Sequence, residues 1–361
     1  MSGDLVADLL DGDHRALART ITKIENRAPG YRDLVSALHA HTGDADVIGI
    51  TGSPGAGKST LVDKLAAAYR EAGLTVGVIA IDPASPFTGG AVLGDRIRMA
   101  SNIGDMDVFF RSMSARGTLG GLSTATTDAV RALDAFGKDK VIVETVGAGQ
   151  NEIDIVRTAD TVAVLVPPGS GDDVQMLKAG ILEIADLFVV NKADLEGADR
   201  TVQELREMLG MRDGAAATAA GHHGVVTSDN ADSAGADGSD DDSAGADGGD
   251  DDESGEEWEP PIVETVANRG EGIDDVLDAL ADHRSYLAAS GLLAERARSR
   301  HAEEIRTLLR EDVHALLSEE IEARGGLDDL AASVADRETD PYTVADEVLE
   351  PIADCVRERR E

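Results

Sequence analysis

One stretch, residues 47–60, limits what this chain can fold into more than any other. Its letters are VIGITGSPGAGKST, in which a short apolar run is followed at once by Gly-x-x-x-x-Gly-Lys-Ser. That spacing is the phosphate-binding loop of nucleoside triphosphatases. Its glycines let backbone N–H groups turn inward toward phosphate oxygens, with no side chain in the way. The sequence therefore predicts a strand, a phosphate-binding loop and a helix, in that order.

Two side chains of this loop have predicted roles. Lys58 should reach the β- and γ-phosphates of the nucleotide, and the Ser59 hydroxyl should bind Mg²⁺. The alternative is a glycine turn that arises by chance. The helical periodicity that follows the loop and ends at Gly73 argues against it, because strand and helix flanks are the context that confirms the motif.

The net charge of the chain limits the partners that it can bind and indicates the salt concentration in which it works. Its 361 residues carry 70 acidic and 33 basic side chains, for a formal net charge of −37. So acidic a surface repels nucleic acid and anionic membranes, which argues against both as partners. It suits a protein that stays soluble in concentrated salt, so we expect a halophilic source.

The same composition leaves little room for disulfides or membrane anchoring. Cys355 is the only cysteine, which excludes an internal disulfide and a multi-cysteine metal site. No apolar run reaches transmembrane length, and the acidic N-terminus lacks the apolar region of a signal peptide. We therefore expect a soluble, cytoplasmic protein.

Short apolar runs rich in Val and Ile follow the phosphate-binding loop. They lie at 75–82, 106–113, 140–146, 161–168, 187–194 and 261–267, and helix-length segments separate most of them. Continuous hydrophobicity indicates strands that are buried on both faces, hence a mostly parallel sheet covered by helices. The predicted fold class is α/β, a P-loop NTPase, with ligands bound at the carboxyl ends of the strands.

Two acidic residues end predicted strands beside the phosphate-binding loop. Asp82 ends the second strand and Glu144 the fourth, where each could hold Mg²⁺ directly or through water. For either residue alone, a helix cap or a solvated turn is the better interpretation. Together they favour a metal site made of Ser59, Asp82 and Glu144. The glycine-containing loop that runs from Gly147 to Gln150 could sense the γ-phosphate.

Residues Asn191-Lys192-Ala193-Asp194 match the N-K-x-D motif at the end of a strand. A carboxylate there can accept hydrogen bonds from the guanine N1–H and the exocyclic amine, whereas adenine offers neither donor. A buried acceptor left unpaired is costly, so such a site rejects the wrong base. Four residues are a weak signal alone but a strong one on the next-to-last strand after a P-loop. The predicted ligands are GTP and GDP.

Composition divides the chain into three regions. Residues 1–44 form a predicted N-terminal helical extension, and 45–285 the nucleotide-binding domain. Within that domain, residues 212–257 form a predicted disordered acidic insertion, poor in apolar side chains. Residues 286–361 have helical periodicity, and their apolar stripe must pack on the chain's own core or on a second copy.

Taken together, these stretches resemble the MeaB/ArgK family of GTPases associated with methylmalonyl-CoA mutase. The resemblance covers nearly the whole chain apart from the insertion. It rests on SPGAGKST and on the segments 80–99, 108–123, 144–155 and 258–274, together with the N-K-A-D motif. It implies a GTPase domain of the class that includes the signal-recognition GTPases, and a C-terminal dimerisation arm that makes a homodimer.

The resemblance also implies a function and several residue roles. The family acts as a GTP-hydrolysing chaperone of an adenosylcobalamin-dependent mutase, gating cofactor loading and rejecting damaged cofactor. Residues implied to cradle the phosphates and Mg²⁺ are Gly52, Ser53, Pro54, Gly55, Ala56, Gly57, Lys58, Ser59 and Thr60. Residues implied to recognise guanine are Asn191, Lys192, Asp194 and Ala267, whose N–H could contact guanine O6. Val266 stands where the family usually has serine.

The implied switches are 82–98, 144–152 and 171–178, the last of which signals to the mutase. Asp95 is a further candidate acid near the metal, and Gln150, Asp95 and the switch arginines are candidates to orient the attacking water. Two other functions stay open. One is a nucleotide-dependent kinase or ATPase linked to arginine and ornithine transport, which the N-K-A-D motif disfavours. The other is a non-catalytic GTP-binding scaffold.

Overall fold

The computed structural model describes residues 2–82, 105, 107–114, 124–145, 155–169, 181–220 and 257–358. The chain divides into two compact units, Met1–Leu293 and Ala294–Glu361. Residues 221–256, which make up most of the insertion predicted at 212–257, lie outside the described residues, as do most of the predicted first switch and all of the third.

The first unit is built on one parallel sheet. Its strands in the described chain are β1 (Asp46–Gly52), β2 (Val76–Asp82), β3 (Val108–Ser114), β4 (Lys140–Glu144), β5 (Thr161–Val166), β6 (Leu187–Asn191) and β7 (Ile262–Thr265). They pair in the order β3-β2-β4-β1-β5-β6-β7, and every pairing is parallel. The predicted α/β fold class is confirmed.

Helices flank the strands and precede them. Those of the first unit are α1 (Ser2–Leu10), α2 (His14–Glu25), α3 (Tyr31–His39), α4 (Lys58–Glu71), α5 (Thr124–Ala135), α6 (Ile181–Ile184), α7 (Ala198–Ala220) and α8 (Ile273–Ala289). The helix α9 (Leu292–Ala323) begins just before the second unit, which also contains α10 (Leu327–Ala335) and α11 (Pro341–Glu358).

The strands send alternate side chains into two apolar clusters, one on each face of the sheet. On β5, Val164 lies in one cluster and the adjacent Leu165 in the other. Helix α5 packs on the first face and α2 packs on α5, and both share with α1 the cluster in which Leu17 is fully buried. Helices α4 and α8 cover the second face through Leu65 and Val276. Burial on both faces explains why the strands read as continuous apolar runs.

Two features of the structure lie at the limits of the predicted regions. The N-terminal helices share a core cluster with the sheet, so they belong to the same compact unit as the strands. Helix α7 continues to Ala220, past residue 212 where the low-complexity composition begins. Alanine has the highest helix propensity, so the alanines near the end of α7 favour this extension of the helix.

The second unit is helical, and much of its apolar surface is exposed. Helix α9 has no buried residue in the described chain, and Ile305, Leu309 and Leu316 are more than half exposed. Among the described residues, no helix is both long enough and apolar enough to cross a bilayer.

Candidate nucleotide-binding site

The phosphate-binding loop connects β1 to α4 at the carboxyl edge of the sheet. Gly52 has φ +134°, and a Cβ there would clash with the Leu165 carbonyl oxygen of the neighbouring strand β5. Gly57 has φ +98°, and a Cβ there would clash with the Asn191 side-chain nitrogen. Both positions therefore require glycine, for its left-handed backbone and for the close approach of other segments.

Lys58, the first residue of α4, directs its ammonium back into the loop. The side chain is buried, and Nζ donates to the Gly52 carbonyl at 2.6 Å and the Ser53 carbonyl at 3.0 Å. Thr60 follows on α4, and the exposed Pro54 lies in the turn. A positive charge is thus held inside a turn whose backbone is suited to phosphate.

Ser59 and Glu144, predicted to share a metal ion, contact each other directly. The Ser59 hydroxyl donates to Glu144 Oε1 at 2.5 Å. Glu144 is buried at the end of β4, which pairs with β1. A hydroxyl and a buried carboxylate at this distance are the hard oxygen donors that Mg²⁺ requires, so these two residues fit that ion.

The third predicted metal ligand is placed only by its backbone. Asp82 ends β2, on the other side of β4, and its side chain lies outside the described residues. Asp95, Gln150 and the predicted third switch at 171–178 also lie outside them. In the part of the chain that the structure describes, no three His, Cys, Asp or Glu side chains group as metal ligands.

Thr145 connects the predicted second switch to the strand that carries the phosphate-binding loop. Its hydroxyl donates to the Thr51 hydroxyl at 2.8 Å, and its N–H donates to the Ile50 carbonyl at 3.0 Å. Both threonines are buried. Sequence reasoning did not predict this contact, although Thr145 directly follows Glu144 in the segment that resembles the family.

Asn191 joins three segments of the site. Its Nδ2 donates to the Ala56 carbonyl in the phosphate-binding loop at 2.7 Å. Its Oδ1 accepts from the Thr265 hydroxyl and the Ala267 N–H, each at 3.1 Å. The side chain is almost fully buried. Lys192, which has φ +63°, adds a second link by donating to the Gly55 carbonyl at 2.7 Å.

The backbone N–H of Ala267 has a partner within the protein. The resemblance implied that its N–H faces guanine O6, but in this structure that N–H donates to Asn191 Oδ1. Ala267 is nevertheless placed beside the N-K-x-D segment, because β6 and β7 are adjacent in the sheet.

Asp194, the predicted guanine acceptor, is paired with a residue that sequence reasoning missed. Arg269 Nη2 lies 3.2 Å from Asp194 Oδ2. Arg269 ends the short 3₁₀ helix Ala267–Arg269 after β7. The sequence feature that could have indicated this ion pair is the basic residue two positions after Ala267.

A charged cluster anchors the other end of α4. Arg70 pairs with Asp105 at 3.0 Å and with Asp107 at 2.5 Å, just before β3. Lys138 Nζ donates to the Asp107 carbonyl at 2.9 Å. The backbone N–H of Asp107 and the Arg70 guanidinium hold the pKa of the Asp105 carboxyl below its usual value, and burial lowers the pKa of Lys138.

The family model described as "Methylmalonyl Co-A mutase-associated GTPase MeaB" matches residues 17–322 of this chain. The chain belongs to the MeaB family. A provisionally named GTPase of Pyrococcus abyssi is 45% identical over 352 residues, which cover 98% of this chain and 97% of that one. The GTPase ArgK of Escherichia coli is 33% identical over 303 residues, covering 82% and 80%.

A solved structure, the crystal structure of an LAO/AO transport system kinase, has the same fold. It superposes with a TM-score of 0.63 at 25% sequence identity, over 98% of this chain and 97% of that one. With its P-loop and its GTPase relatives, this MeaB-family chain is a GTP-hydrolysing enzyme that binds guanine nucleotides.

Proposed function

We propose that this GTPase is a chaperone of an adenosylcobalamin-dependent acyl-CoA mutase of the methylmalonyl-CoA mutase type. The observation that carries the proposal is the family match over residues 17–322, because that family is described as mutase-associated. The protein uses GTP binding and hydrolysis to gate cofactor loading into the mutase and to protect the mutase from damaged cofactor.

The phosphate end of the nucleotide binds in residues 52–60. Lys58 places its ammonium against the β- and γ-phosphates, a proposal supported by its position inside the loop. Ser59, Glu144 and Asp82 hold Mg²⁺, and the contact between Ser59 and Glu144 supports the first two assignments. When bound, the ion neutralises charge on the β- and γ-phosphate oxygens.

The guanine end binds between the loops that follow β6 and β7. Asp194 accepts from the guanine N1–H and 2-amino group. Asn191 fixes the distance between this base pocket and the phosphate-binding loop, which its three hydrogen bonds support. Lys192 and Ala267 complete the pocket walls on either side of Asn191.

Hydrolysis is slow without a partner. Phosphoryl transfer is catalysed by positioning and charge stabilisation, and a switch GTPase completes its site only when its partner binds. Segments 82–98, 144–152 and 171–178 are the proposed switches, with Asp95 and Gln150 as candidates to orient the attacking water. The hydrogen bond between Thr145 and Thr51 supports a direct link from the second switch to β1.

The test uses the purified mutase from the same organism and analytical gel filtration. We expect the GTPase and the mutase to elute as a complex whose stability differs between the GDP-bound and GTP-analogue-bound forms. The matched control is Lys58→Ala, which should remove the nucleotide dependence. Separate elution under every nucleotide condition, with both proteins folded, would contradict the proposal.

A second candidate function is a nucleotide-dependent kinase or ATPase linked to arginine and ornithine transport. The structural likeness to an LAO/AO transport system kinase favours it. The N-K-A-D motif disfavours ATP as the substrate. Competition between ATP and GTP for the site separates the two functions, because only a GTPase chaperone should reject ATP strongly.

A further inference from the structure

We propose that Arg269 is a positioning residue for guanine recognition, which acts by holding the carboxylate of Asp194. The inference rests on the proposed role of Asp194 as the guanine acceptor. Arg269 Nη2 lies 3.2 Å from Asp194 Oδ2, and its Nη1 lies 3.9 Å from Glu271 Oε1. The ion pair therefore connects the loop that follows β6 with the loop that follows β7.

The backbone around Arg269 forms a closed turn. The Val266 N–H donates to the Glu271 carbonyl at 3.0 Å, and the Arg269 N–H donates to the Val266 carbonyl at 2.8 Å. The Ala267 N–H donates to Asn191 Oδ1, three residues before Asp194. Both loops are fixed to Asn191, so the backbones at Arg269 and Asp194 are held in place. The ion pair then restrains the two side chains.

The number of acceptor sites on Asp194 favours a role for Arg269 in orienting the carboxylate over a competition with guanine for it. The guanidinium contacts the carboxylate at Oδ2, from which Nη2 lies 3.2 Å away. An ionised carboxylate has about four acceptor sites, so Asp194 keeps enough of them for the two guanine donors. A side chain already held in one orientation loses less entropy when the base binds.

The exposure of the two side chains sets the size of the expected change in guanine affinity. The Asp194 side chain is 29% exposed and that of Arg269 57%. A partly exposed ion pair of this kind should change guanine affinity by about fivefold, which corresponds to ~1 kcal/mol.

The test is a double-mutant cycle with Arg269→Gln, Asp194→Asn and the double variant. The measurement is the dissociation constant of GDP and of IDP, by displacement of a fluorescent guanine nucleotide at fixed salt. IDP lacks the 2-amino group, so it offers Asp194 one donor instead of two. We expect Arg269→Gln to weaken GDP about fivefold and to reduce the preference for GDP over IDP.

In the Asp194→Asn background, Arg269→Gln should change GDP affinity by less than about twofold, because Arg269 acts only through the carboxylate. Arg269→Lys should retain part of the affinity, since it keeps the positive charge. The matched control is Arg200→Gln, which removes the exposed pair with Glu204 on α7. Thermal unfolding of each variant verifies that it folds.

Three results would overturn the proposal. Equal losses in both backgrounds would mean that Arg269 acts independently of Asp194. Tighter GDP binding by Arg269→Gln would mean that Arg269 competes with guanine, and unchanged binding would mean that it has no role. The assignment of Asp194 is tested separately, because it fails if Asp194→Asn keeps the full preference for GDP over ADP.

Discussion

At the scale of single residues, the site depends on side chains that donate hydrogen bonds to backbone carbonyls of the phosphate-binding loop. Lys58 is the clearest case, since its ammonium is buried on the Gly52 and Ser53 carbonyls. A buried charge needs partners, and these carbonyls provide them. The same geometry holds the ammonium inside the loop, as its proposed role at the phosphates requires.

Lys58→Ala should abolish GTP hydrolysis and weaken GTP binding, because it removes the positive charge next to the transferred phosphoryl group. The measurement is phosphate release under single-turnover conditions. Lys64→Ala is the matched control, because Lys64 lies on the same helix, where its ion pair is with Asp63. Turnover by Lys58→Ala within a few-fold of the unmodified protein would show that this loop is not catalytic.

Asn191→Ala should weaken GTP and GDP alike and lower the free energy of unfolding. The substitution removes three hydrogen bonds and leaves the buried Ala267 N–H without its acceptor, at a cost of about 1–3 kcal/mol. Isothermal titration and urea unfolding measure the two effects. Gln203→Ala, an exposed residue of α7 bonded to Glu207, is the control. Unchanged nucleotide affinity would contradict the bridging role of Asn191.

At the scale of elements, the sequence predicted the strands but not which side chains meet at their carboxyl ends. Each strand from β1 to β7 overlaps a predicted apolar run and begins and ends within three residues of it, because burial on both faces leaves a continuous signal. The position of Asn191 at the end of β6 was predicted in the same way.

The contacts of Arg269 with Asp194 and of Thr145 with Thr51 were not predictable in this way. Each joins segments far apart in sequence, and the contact exists because the strand order places β7 beside β6 and β4 beside β1. The apolar runs of a single sequence predict where the strands lie along the chain, but they do not show the order in which the strands pair in the sheet.

The anchor at the far end of α4 predicts an acid-dependent stability. The carboxyl of Asp105 has its pKa lowered by the Asp107 N–H and Arg70, so its ionised form is favoured in the folded state. It therefore stabilises the fold above its unfolded pKa, near 3.8, and this contribution is lost as the pH falls through the lower folded value.

Asp105→Asn should accordingly lower the unfolding temperature at pH 7, and the difference from the unmodified protein should shrink at about pH 3. Calorimetry at the two pH values measures it, with the exposed Asp278→Asn on α8 as the control. A difference that stays constant or grows in acid would contradict the assigned role of the Asp105 charge.

At the scale of the whole molecule, the second unit leaves large apolar side chains of helix α9 exposed. Ile305, Leu309 and Leu316 recur on α9 at helical spacing, and each is more than half exposed. An amphipathic helix of this length needs a surface on which to bury its stripe. The dimerisation arm implied by the family resemblance would supply that surface from a second copy.

Ile305→Glu combined with Leu309→Glu should convert a dimer into a monomer without changing GDP affinity, because charged residues in an apolar interface are costly to bury. Light scattering coupled to gel filtration measures the mass. Arg310→Glu combined with Arg306→Glu, on the same stretch of helix, is the charge-changing control. A monomeric unmodified protein, or a dimer that survives the first pair of substitutions, would contradict the proposed arm.

The rate of GTP hydrolysis, measured with and without the mutase, tests whether this GTPase responds to that partner. Initial rates of phosphate release are measured for the full chain alone and with increasing amounts of the adenosylcobalamin-bound mutase from the same organism. We expect slow hydrolysis by the GTPase alone and saturable acceleration by the mutase, and no acceleration of the Lys58→Ala variant. A rate that stays the same at saturating mutase would contradict it.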